Sequence, residues 1–364
     1  MISFQLTEEQ EVVREAMHDF AEQAIRPAAR DADEESKLPE ALLAQIHELG
    51  LIATQLPAEH GGGGEERSPV TMAILLEELA WGDAALAAAA LAPAAFAFAI
   101  ADAGTEDQRR ELLPLFCGES FHAAALALVE PGALFDPAKL ATRAEARDDG
   151  FVLSGAKSLV PLGDRASHFL VVAASGDGRD AFVVPRDAAG LTISEPEKNL
   201  GLKALPTTTL RFQALELPAA ARLGGSTGCD VQRLVDGARV ALATTMTGVS
   251  RAALEFCVPY AKDRRAFDQA IAQKQGIAFP MAEMHIETDC QRWLAWQAAS
   301  QLERGLDSTR AAHLARAYSA EKSMWIADQG VQTLGGHGFI REHPVEMWYR
   351  NARTLSVLEG MLAL

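Results

Sequence analysis

The spacing of hydrophobic and polar positions changes twice along the chain. Up to about Cys117, signals that start helices alternate with glycine stops. From about Phe121 to Leu223, short apolar and β-branched runs are separated by turn residues, which is typical of strands. After Gly228 long helical segments return. The pattern predicts helices, then strands, then helices.

Two capping boxes mark helix starts in the first segment. Thr7 is followed three residues later by Gln10, and Thr105 by Gln108. In such a box, the Thr side chain and the Gln side chain each accept a hydrogen bond from a free backbone N–H group. Each Thr is therefore predicted to open a helix.

Turn signals between apolar runs indicate hairpins in the middle segment. Residues 148–150 read Asp-Asp-Gly and residues 176–178 read Gly-Asp-Gly, a composition that favours tight hairpin turns. The predicted structure is a small antiparallel sandwich or barrel.

Cap and stop residues predict long helices in the third segment. Asp307 and Ser308 can cap a helix that runs toward Gly335, and Pro344 fits the first turn of another that ends near Gly360.

The predicted fold class is mostly α with a central β domain. The N-terminal helical domain covers residues 1–118, and the antiparallel β domain covers residues 119–226. A four-helix bundle covers residues 227–364.

Composition excludes some partners. Fifty acidic residues against 33 basic ones give a formal charge of -17, which repels nucleic acid and anionic lipid surfaces. The apolar run from Ala84 to Ile100 is short for a membrane span and contains Pro93, so a buried pair of Ala-rich helices is predicted. Neither nucleic-acid binding nor membrane insertion is expected.

The cysteines and the first residues indicate a cytoplasmic protein. Four cysteines lie far apart without the spacing of a zinc site or of a disulfide framework, so buried thiols in a reducing cytosol are expected. Residues 1–5 lead directly into acidic residues, unlike a signal peptide.

Two ordered motifs carry the chemistry. The first runs from Tyr260 to Phe267 and is followed by Gln275; the second runs from Gln332 to Phe339 and is followed by Glu359 and Gly360. Helical periodicity does not require this order. Both motifs resemble signatures of the acyl-CoA dehydrogenase family. Weaker matches extend the resemblance over nearly the whole chain, at residues 6–10, 59–62, 104–108, 130–133 and 153–157.

The resemblance implies an FAD enzyme. It would oxidise the Cα–Cβ bond of an acyl-CoA thioester and pass electrons to an electron-transferring flavoprotein. Family tetramers, which are dimers of dimers, share each FAD between neighbouring subunits. The positions implied to hold the adenosine diphosphate half of an FAD bound mainly by the adjacent chain are Arg264, Phe267, Gln275, Gln332, Gly335 and Gly336. Arg offers a charged fork to a diphosphate, Gln can bond ribose or adenine, and paired Gly permits close backbone approach.

The resemblance also implies that Glu359 is the catalytic base and that Arg239 is its charge partner. The predicted helix end and the apolar neighbours, Leu355, Val357, Leu358, Met361 and Leu362, both disfavour a charged carboxylate and would suit a base. Some relatives carry the base at the position of Ala238 instead, where this chain has no carboxylate.

Positions that face the flavin ring depart from the family pattern. Val129 and Pro161 replace hydroxyl residues, and Leu159 replaces an aromatic one. Leu134 and Phe135 replace small residues and would narrow the thioester entrance.

These departures leave three interpretations open. In the first, the chain is a dehydrogenase with its own flavin pocket. In the second, the chain is one half of a hetero-oligomeric enzyme and lends its diphosphate-binding residues to a partner's FAD; it could then be a non-catalytic subunit. A flavin-dependent hydroxylase of the same fold is the third interpretation, although such an enzyme has little need of Glu359.

Overall fold

The computed structural model describes residues 5–132 and 135–364. Helices extend to residue 116, strands occupy residues 124–218, and helices resume at residue 231. The predicted order of helices, strands and helices is confirmed. Leu134 and residues 1–4 lie outside the described residues. Leu134 was predicted to narrow the thioester entrance, and residues 1–4 belong to the segment predicted not to be a signal peptide.

Both predicted capping boxes form. Gln10 N donates to Thr7 Oγ1 at 3.1 Å, and Gln108 N donates to Thr105 Oγ1 at 3.2 Å. The helices of the first segment are α1 Glu8–Phe20, α2 Arg26–Glu35, α3 Glu40–Glu48, α4 Pro69–Gly82, α5 Ala84–Ala103 and α6 Glu106–Leu112, with a wider turn at Ala21–Ile25 between α1 and α2.

The Ala-rich run forms one helix, α5, so the predicted helix pair is wrong. α5 continues through Pro93 because the surrounding core, formed by α4, α7 and β1, outweighs the local cost of one lost hydrogen bond. Its length and hydropathy would suit a membrane span, but 89% of its most apolar window is buried inside the protein. The N-cap is the buried Asp83, which accepts hydrogen bonds from the N–H groups of Ala85 and Leu86, each at 2.9 Å.

The middle segment forms one sheet of seven strands in the order β1-β4-β2-β3-β7-β6, with β5 paired to β4. The strands are β1 Ala124–Ala127, β2 Arg143–Arg147, β3 Gly150–Pro161, β4 His168–Ser175, β5 Gly178–Pro185, β6 Leu191–Ile193 and β7 Thr207–Pro218.

Both predicted hairpins exist, between β2 and β3 and between β4 and β5. The purely antiparallel prediction is wrong, because β4 pairs in parallel with both β1 and β2. Turn residues signal only hairpin partners, whereas a parallel pair joins strands that are distant in sequence.

Four helices form the C-terminal bundle: α7 Val231–Asp263, α8 Gln275–Glu303, α9 Thr309–Leu334 and α10 Val345–Ser356. α7 packs on α8 and α9, and α10 packs on α9. The predicted bundle is confirmed, but α10 ends at Ser356 rather than near Gly360. The reason is tertiary: Gly360 lies so close to α7 that a Cβ atom on it would be 2.6 Å from Cβ of Ala238.

Candidate active site

Glu359, in the loop after α10, forms an ion pair with Arg239 of α7. Arg239 Nε and Nη2 each lie 3.0 Å from Glu359 Oε2. The two side chains are only 11% and 16% exposed, so water screens the pair weakly. The residues predicted to be charge partners therefore meet, although 119 positions intervene between them in the sequence.

A second arginine reaches the same loop from α9. Arg316 Nη2 lies 3.5 Å from Glu359 Oε1, while Arg316 Nε donates to the Leu358 carbonyl at 2.9 Å. The sequence reasoning missed Arg316. Its partners lie about 40 residues away, and nothing in the local pattern of α9 marks it out.

The surroundings of Glu359 differ in part from those predicted. Leu355, Leu358, Met361 and Leu362 are buried as expected, but Val357 is 66% exposed. The helix ends three residues before Glu359, so Glu359 is not part of the last helical turn as predicted, and the guanidinium groups of Arg239 and Arg316 approach its carboxylate instead.

Arg239 also lines a cavity of about 530 Å³ between the sheet and the bundle. Arg310 and His313, in the first turns of α9, contribute an exposed guanidinium and an exposed imidazole beside an N-terminal helix end, which favours anions. The remaining lining residues are Asp136, Pro137, Ala138, Arg179, Gln232, Asp307 and Thr309. Arg179 holds the wall in place through the Pro137 carbonyl at 2.8 Å and Gln232 Oε1 at 2.9 Å. Phe135 is half-buried against the main core beside this wall.

The first motif forms an exposed hairpin, in which β8 Arg265–Ala266 pairs with β9 Gln269–Ala270. The two residues of the turn, Phe267 and Asp268, both have left-handed backbones, with φ of 54° and 64°. Hairpin turns of this kind favour Asn-Gly, so this turn is strained. The Phe267 side chain is 90% exposed, so its ring is accessible from outside the chain.

The second motif lies beside the first. The hydroxyl of Tyr260, near the end of α7, is hydrogen-bonded to His337 Nδ1 at 3.0 Å, which joins the ends of α7 and α9. Gly335 has φ of +59°, and among the described residues no atom lies within 4 Å of a Cβ built on Gly335 or Gly336. The turn is open enough for a ligand to approach its backbone.

All six positions predicted to bind the diphosphate half of FAD are exposed. Lys274 Nζ lies 5.1 Å from the Phe267 ring centroid, which places the start of α8, and hence Gln275, next to the hairpin. Arg264 starts the same hairpin, where its carbonyl accepts from Ile271 N at 2.9 Å. A guanidinium, amide groups, an aromatic ring and an open glycine turn together fit an adenosine diphosphate group held from outside the chain.

The three altered positions that were predicted to face the flavin lie near the ends of β1 and β3. Ser158 N donates to the Val129 carbonyl at 2.9 Å, so the end of β3 meets the end of β1. Leu159 has φ of 54°, at a register shift in β3 between Lys157 and Val160. The side chains of Val129, Leu159 and Pro161 have no hydrogen-bond donors, so here only backbone groups remain for a flavin ring.

A buried ion pair lies behind these positions. Lys157 Nζ lies 2.9 Å from Glu130 Oε1 and 3.0 Å from the Leu128 carbonyl. Burial lowers the pKa of Lys157 to about 8, although Glu130 acts in the opposite direction. Glu130 also accepts hydrogen bonds from Ala141 N and Thr142 N, and with Lys157 these bonds outweigh its burial and lower its pKa. The pair joins β3 to the segment after β1.

Models of one family match three parts of the chain. They are the acyl-CoA dehydrogenase N-terminal domain at residues 7–119, the middle domain at 125–215 and the C-terminal domain at 230–363. The chain belongs to the acyl-CoA dehydrogenase family. This membership confirms the resemblance predicted from the two motifs, and it supports FAD as the cofactor and an oxidoreductase as the class of enzyme.

Similar proteins cover the chain almost end to end. The probable acyl-CoA dehydrogenase YngJ of Bacillus subtilis is 32% identical over 99% of this chain and 96% of its own length. The butyryl-CoA dehydrogenase of Megasphaera elsdenii is 28% identical, with a TM-score of 0.88, over 99% of this chain and 96% of its own. A chain from a structure of the electron-transferring flavoprotein of Acidaminococcus fermentans is 27% identical, with the same TM-score and coverage. The fold is thus that of acyl-CoA dehydrogenases.

Proposed function

We propose that this chain oxidises the Cα–Cβ bond of an acyl-CoA thioester to a double bond. The observation that carries the proposal is the pairing of Glu359 with Arg239 at the edge of a cavity that also contains Arg310 and His313. A shielded carboxylate beside a cavity lined by three arginines suits removal of a proton from a thioester that carries phosphate groups.

Glu359 acts as the base that accepts the α-proton. Arg239 binds Oε2 through two of its nitrogens and so holds that oxygen in place, which leaves Oε1 for the proton. FAD, when bound, accepts the hydride that leaves Cβ. The buried Leu358, Met361 and Leu362 keep water away from the base, so the proton transfer takes place in a weakly screened environment.

The cavity lined by Arg239 accommodates the coenzyme A part of the substrate. Arg310 and His313 provide exposed donors for phosphate oxygens at the N-terminal end of α9. Asp136 and Asp307 also line the cavity, so a polyanion is expected to bind near its arginines and away from these two carboxylates.

The active form is an oligomer, a dimer of dimers, in which a neighbouring chain's FAD contacts the surface around Phe267. Support comes from six exposed positions that would otherwise leave a strained aromatic turn and an open glycine turn in water. An electron-transferring flavoprotein is the electron acceptor, in keeping with the 27% identical chain from the Acidaminococcus fermentans structure. The four free cysteines are compatible with a cytosolic location.

A hetero-oligomer is the second candidate, favoured by Val129, Leu159 and Pro161. Two lost hydroxyl donors and one lost aromatic contact weaken flavin binding by a few kcal/mol at ~0.5–1.5 kcal/mol each. In that arrangement this chain lends the Phe267 surface to FAD held by a different chain. The Glu359–Arg239 pair favours either dehydrogenase over a flavin-dependent hydroxylase, which needs no such base.

The test is anaerobic addition of acyl-CoA thioesters of several chain lengths to the purified protein, with flavin absorbance recorded. Wild type is expected to lose its oxidised flavin band with at least one thioester, whereas Glu359→Gln retains it. Glu216→Gln, at an exposed position on β7, is the matched control and should behave as wild type.

Two other outcomes decide between the alternatives. A lone chain without flavin, together with flavin in a co-expressed complex, establishes the hetero-oligomer. Bleaching that is equal in wild type and Glu359→Gln contradicts the dehydrogenase mechanism.

A further inference from the structure

The loop that carries Glu359 begins where α10 ends. The last carbonyl groups of a helix have no partners within the helix and need other donors. The local bonds of the first turn of the loop run from Val357 N to the Thr354 carbonyl at 3.4 Å, from Leu358 N to the Leu355 carbonyl at 3.1 Å and from Ser356 Oγ to the Arg353 carbonyl at 2.9 Å. These bonds alone fix the position of the base weakly.

Arg316 supplies the missing donors. Its Nε donates to the Leu358 carbonyl at 2.9 Å, and its Nη2 donates to the same oxygen at 2.5 Å and to the Ser356 carbonyl at 3.4 Å. The side chain is 17% exposed. One partly buried guanidinium thus bonds two backbone carbonyls on either side of Val357.

The two arginines contact different atoms of Glu359 and its loop. Arg239, on α7, bonds Oε2 of the side chain. Arg316, on α9, bonds the backbone that precedes Glu359 and approaches Oε1 only to 3.5 Å. The side chain and the backbone of the base are therefore held from two separate helices.

We infer that Arg316 is a positioning residue, which holds the loop after α10 so that the Glu359 carboxylate reaches the substrate α-carbon. The inference rests on the proposed function, because it assigns a purpose to the placement of the base. Misplacing a reacting group by about 1 Å can reduce a rate by roughly 10²-fold. A residue that fixes placement therefore affects turnover more than binding.

The test compares Arg316→Gln, Arg316→Lys and a matched control. Arg353→Gln removes the same charge from an exposed position on α10, close to the loop. Amide hydrogen exchange of residues 357–360 reports the loop directly and requires no activity. In Arg316→Gln we expect exchange at least about tenfold faster, since a hydrogen bond to a charged group contributes ~1.5–3 kcal/mol. Arg316→Lys is expected to be intermediate, and Arg353→Gln unchanged.

Turnover of the flavin-loaded protein is the second readout. We expect Arg316→Gln to lower kcat by about 10²-fold with KM within about twofold of wild type, and Arg316→Lys to restore part of the loss. Flavin content and melting temperature, measured on the same samples, separate this effect from unfolding; should Arg316→Gln not fold, Arg316→Lys carries the comparison.

Failure of the inference and failure of the proposed function give different results. If acyl-CoA thioesters do not reduce the wild-type flavin but Arg316→Gln loosens residues 357–360, the proposed function fails and the role of Arg316 in holding the loop stands. If the wild type is active and exchange in Arg316→Gln equals that of wild type, the inference about Arg316 is overturned.

Discussion

Ala238 of α7 and Gly360 of the loop after α10 pack against each other so closely that neither can be enlarged. A Cβ atom on Gly360 would lie 2.6 Å from Cβ of Ala238, and Ala238 is fully buried. This contact brings the loop against α7, one residue from Arg239. It also places Glu359, the proposed base, close to position 238, where the family resemblance implies an alternative base position.

Moving the base to position 238 should therefore fail. The double variant Ala238→Glu/Glu359→Gln is expected to be inactive and less stable than Glu359→Gln alone, because a larger side chain displaces Gly360 and buries a charge. Acyl-CoA bleaching and melting temperature are the measurements. Recovery of activity in the double variant would mean that the loop after α10 can move away from α7 to accommodate the larger side chain.

Replacing Arg239 should slow reduction of the flavin by substrate. Arg239→Gln removes two charge-assisted bonds to Glu359 Oε2, and the loss of a bond to a charged group, ~1.5–3 kcal/mol, corresponds to roughly 10–100-fold in rate. Arg239→Lys retains the charge without the fork and should be intermediate. Stopped-flow absorbance measures the rate of flavin reduction in wild type and in both variants. Equal rates in all three proteins would show that Arg239 has no part in the mechanism.

Phe267→Asn should separate stability from cofactor binding. Asn tolerates the left-handed backbone at φ 54°, so the hairpin is expected to become slightly more stable, while the lost ring lowers flavin content and oligomer mass. Asp268→Gly is the matched control, because it relieves strain in the same turn and retains the ring. Flavin absorbance per chain and light scattering measure both effects. Unchanged flavin content in Phe267→Asn would contradict the proposed contact.

Breaking the buried pair behind the flavin-facing positions should be costly. Lys157→Met leaves Glu130 buried without its ion-pair partner, and loss of one partner of a buried pair destabilises by ~3–5 kcal/mol. The double variant Lys157→Met/Glu130→Gln removes the stranded charge and should recover part of the loss. Chemical denaturation compares the three proteins. A single variant as stable as wild type would show that the pair is not needed for folding.

The buried Asp83 should make the stability of the protein depend on pH between about 4 and 6. Burial raises the pKa of Asp83 to about 6, although the N–H groups of Ala85 and Leu86 act in the opposite direction. Between pH 4 and pH 6 the folded chain therefore binds more protons at this site than the unfolded chain does. The contribution of Asp83 to the free energy of unfolding is fully present below pH 4 and is lost as the pH rises through 6. The loss is up to about 3 kcal/mol for a change of two pKa units.

Asp83→Asn provides the comparison, since Asn also caps helices but does not titrate. The melting temperature of the wild type, measured relative to that of Asp83→Asn, should fall as the pH rises from 4 to 7. A difference between the two proteins that is constant with pH would contradict the raised pKa.

Local signals predicted the helix starts, and non-local contacts determined what the sequence left open. Thr7 and Thr105 open helices because their partners, Gln10 and Gln108, lie three residues away. The parallel pairing of β1 with β4 joins Ala124 to His168, and no turn residue marks such a distance.

In the candidate site, too, some residues could be predicted from the sequence and others depended on non-local contacts. Glu359 and Arg239 were recognisable because both belong to ordered positions that resemble one family, and the structure brings them to 3.0 Å. Arg316 was not recognisable, since its role depends on which face α9 turns toward α10. The end of α10 also depends on a tertiary contact, that of Gly360 with Ala238.

The hydrogen bond between Tyr260 and His337 has a consequence for assembly. Since it ties the ends of α7 and α9 together, the Phe267 hairpin and the Gly335 turn form a preorganised surface rather than two independently moving loops. In the proposed oligomer, less conformational entropy is then lost when a neighbouring chain's FAD contacts this surface. Cutting this tie, for example with Tyr260→Phe, would leave the contacting groups unchanged and weaken assembly through disorder alone.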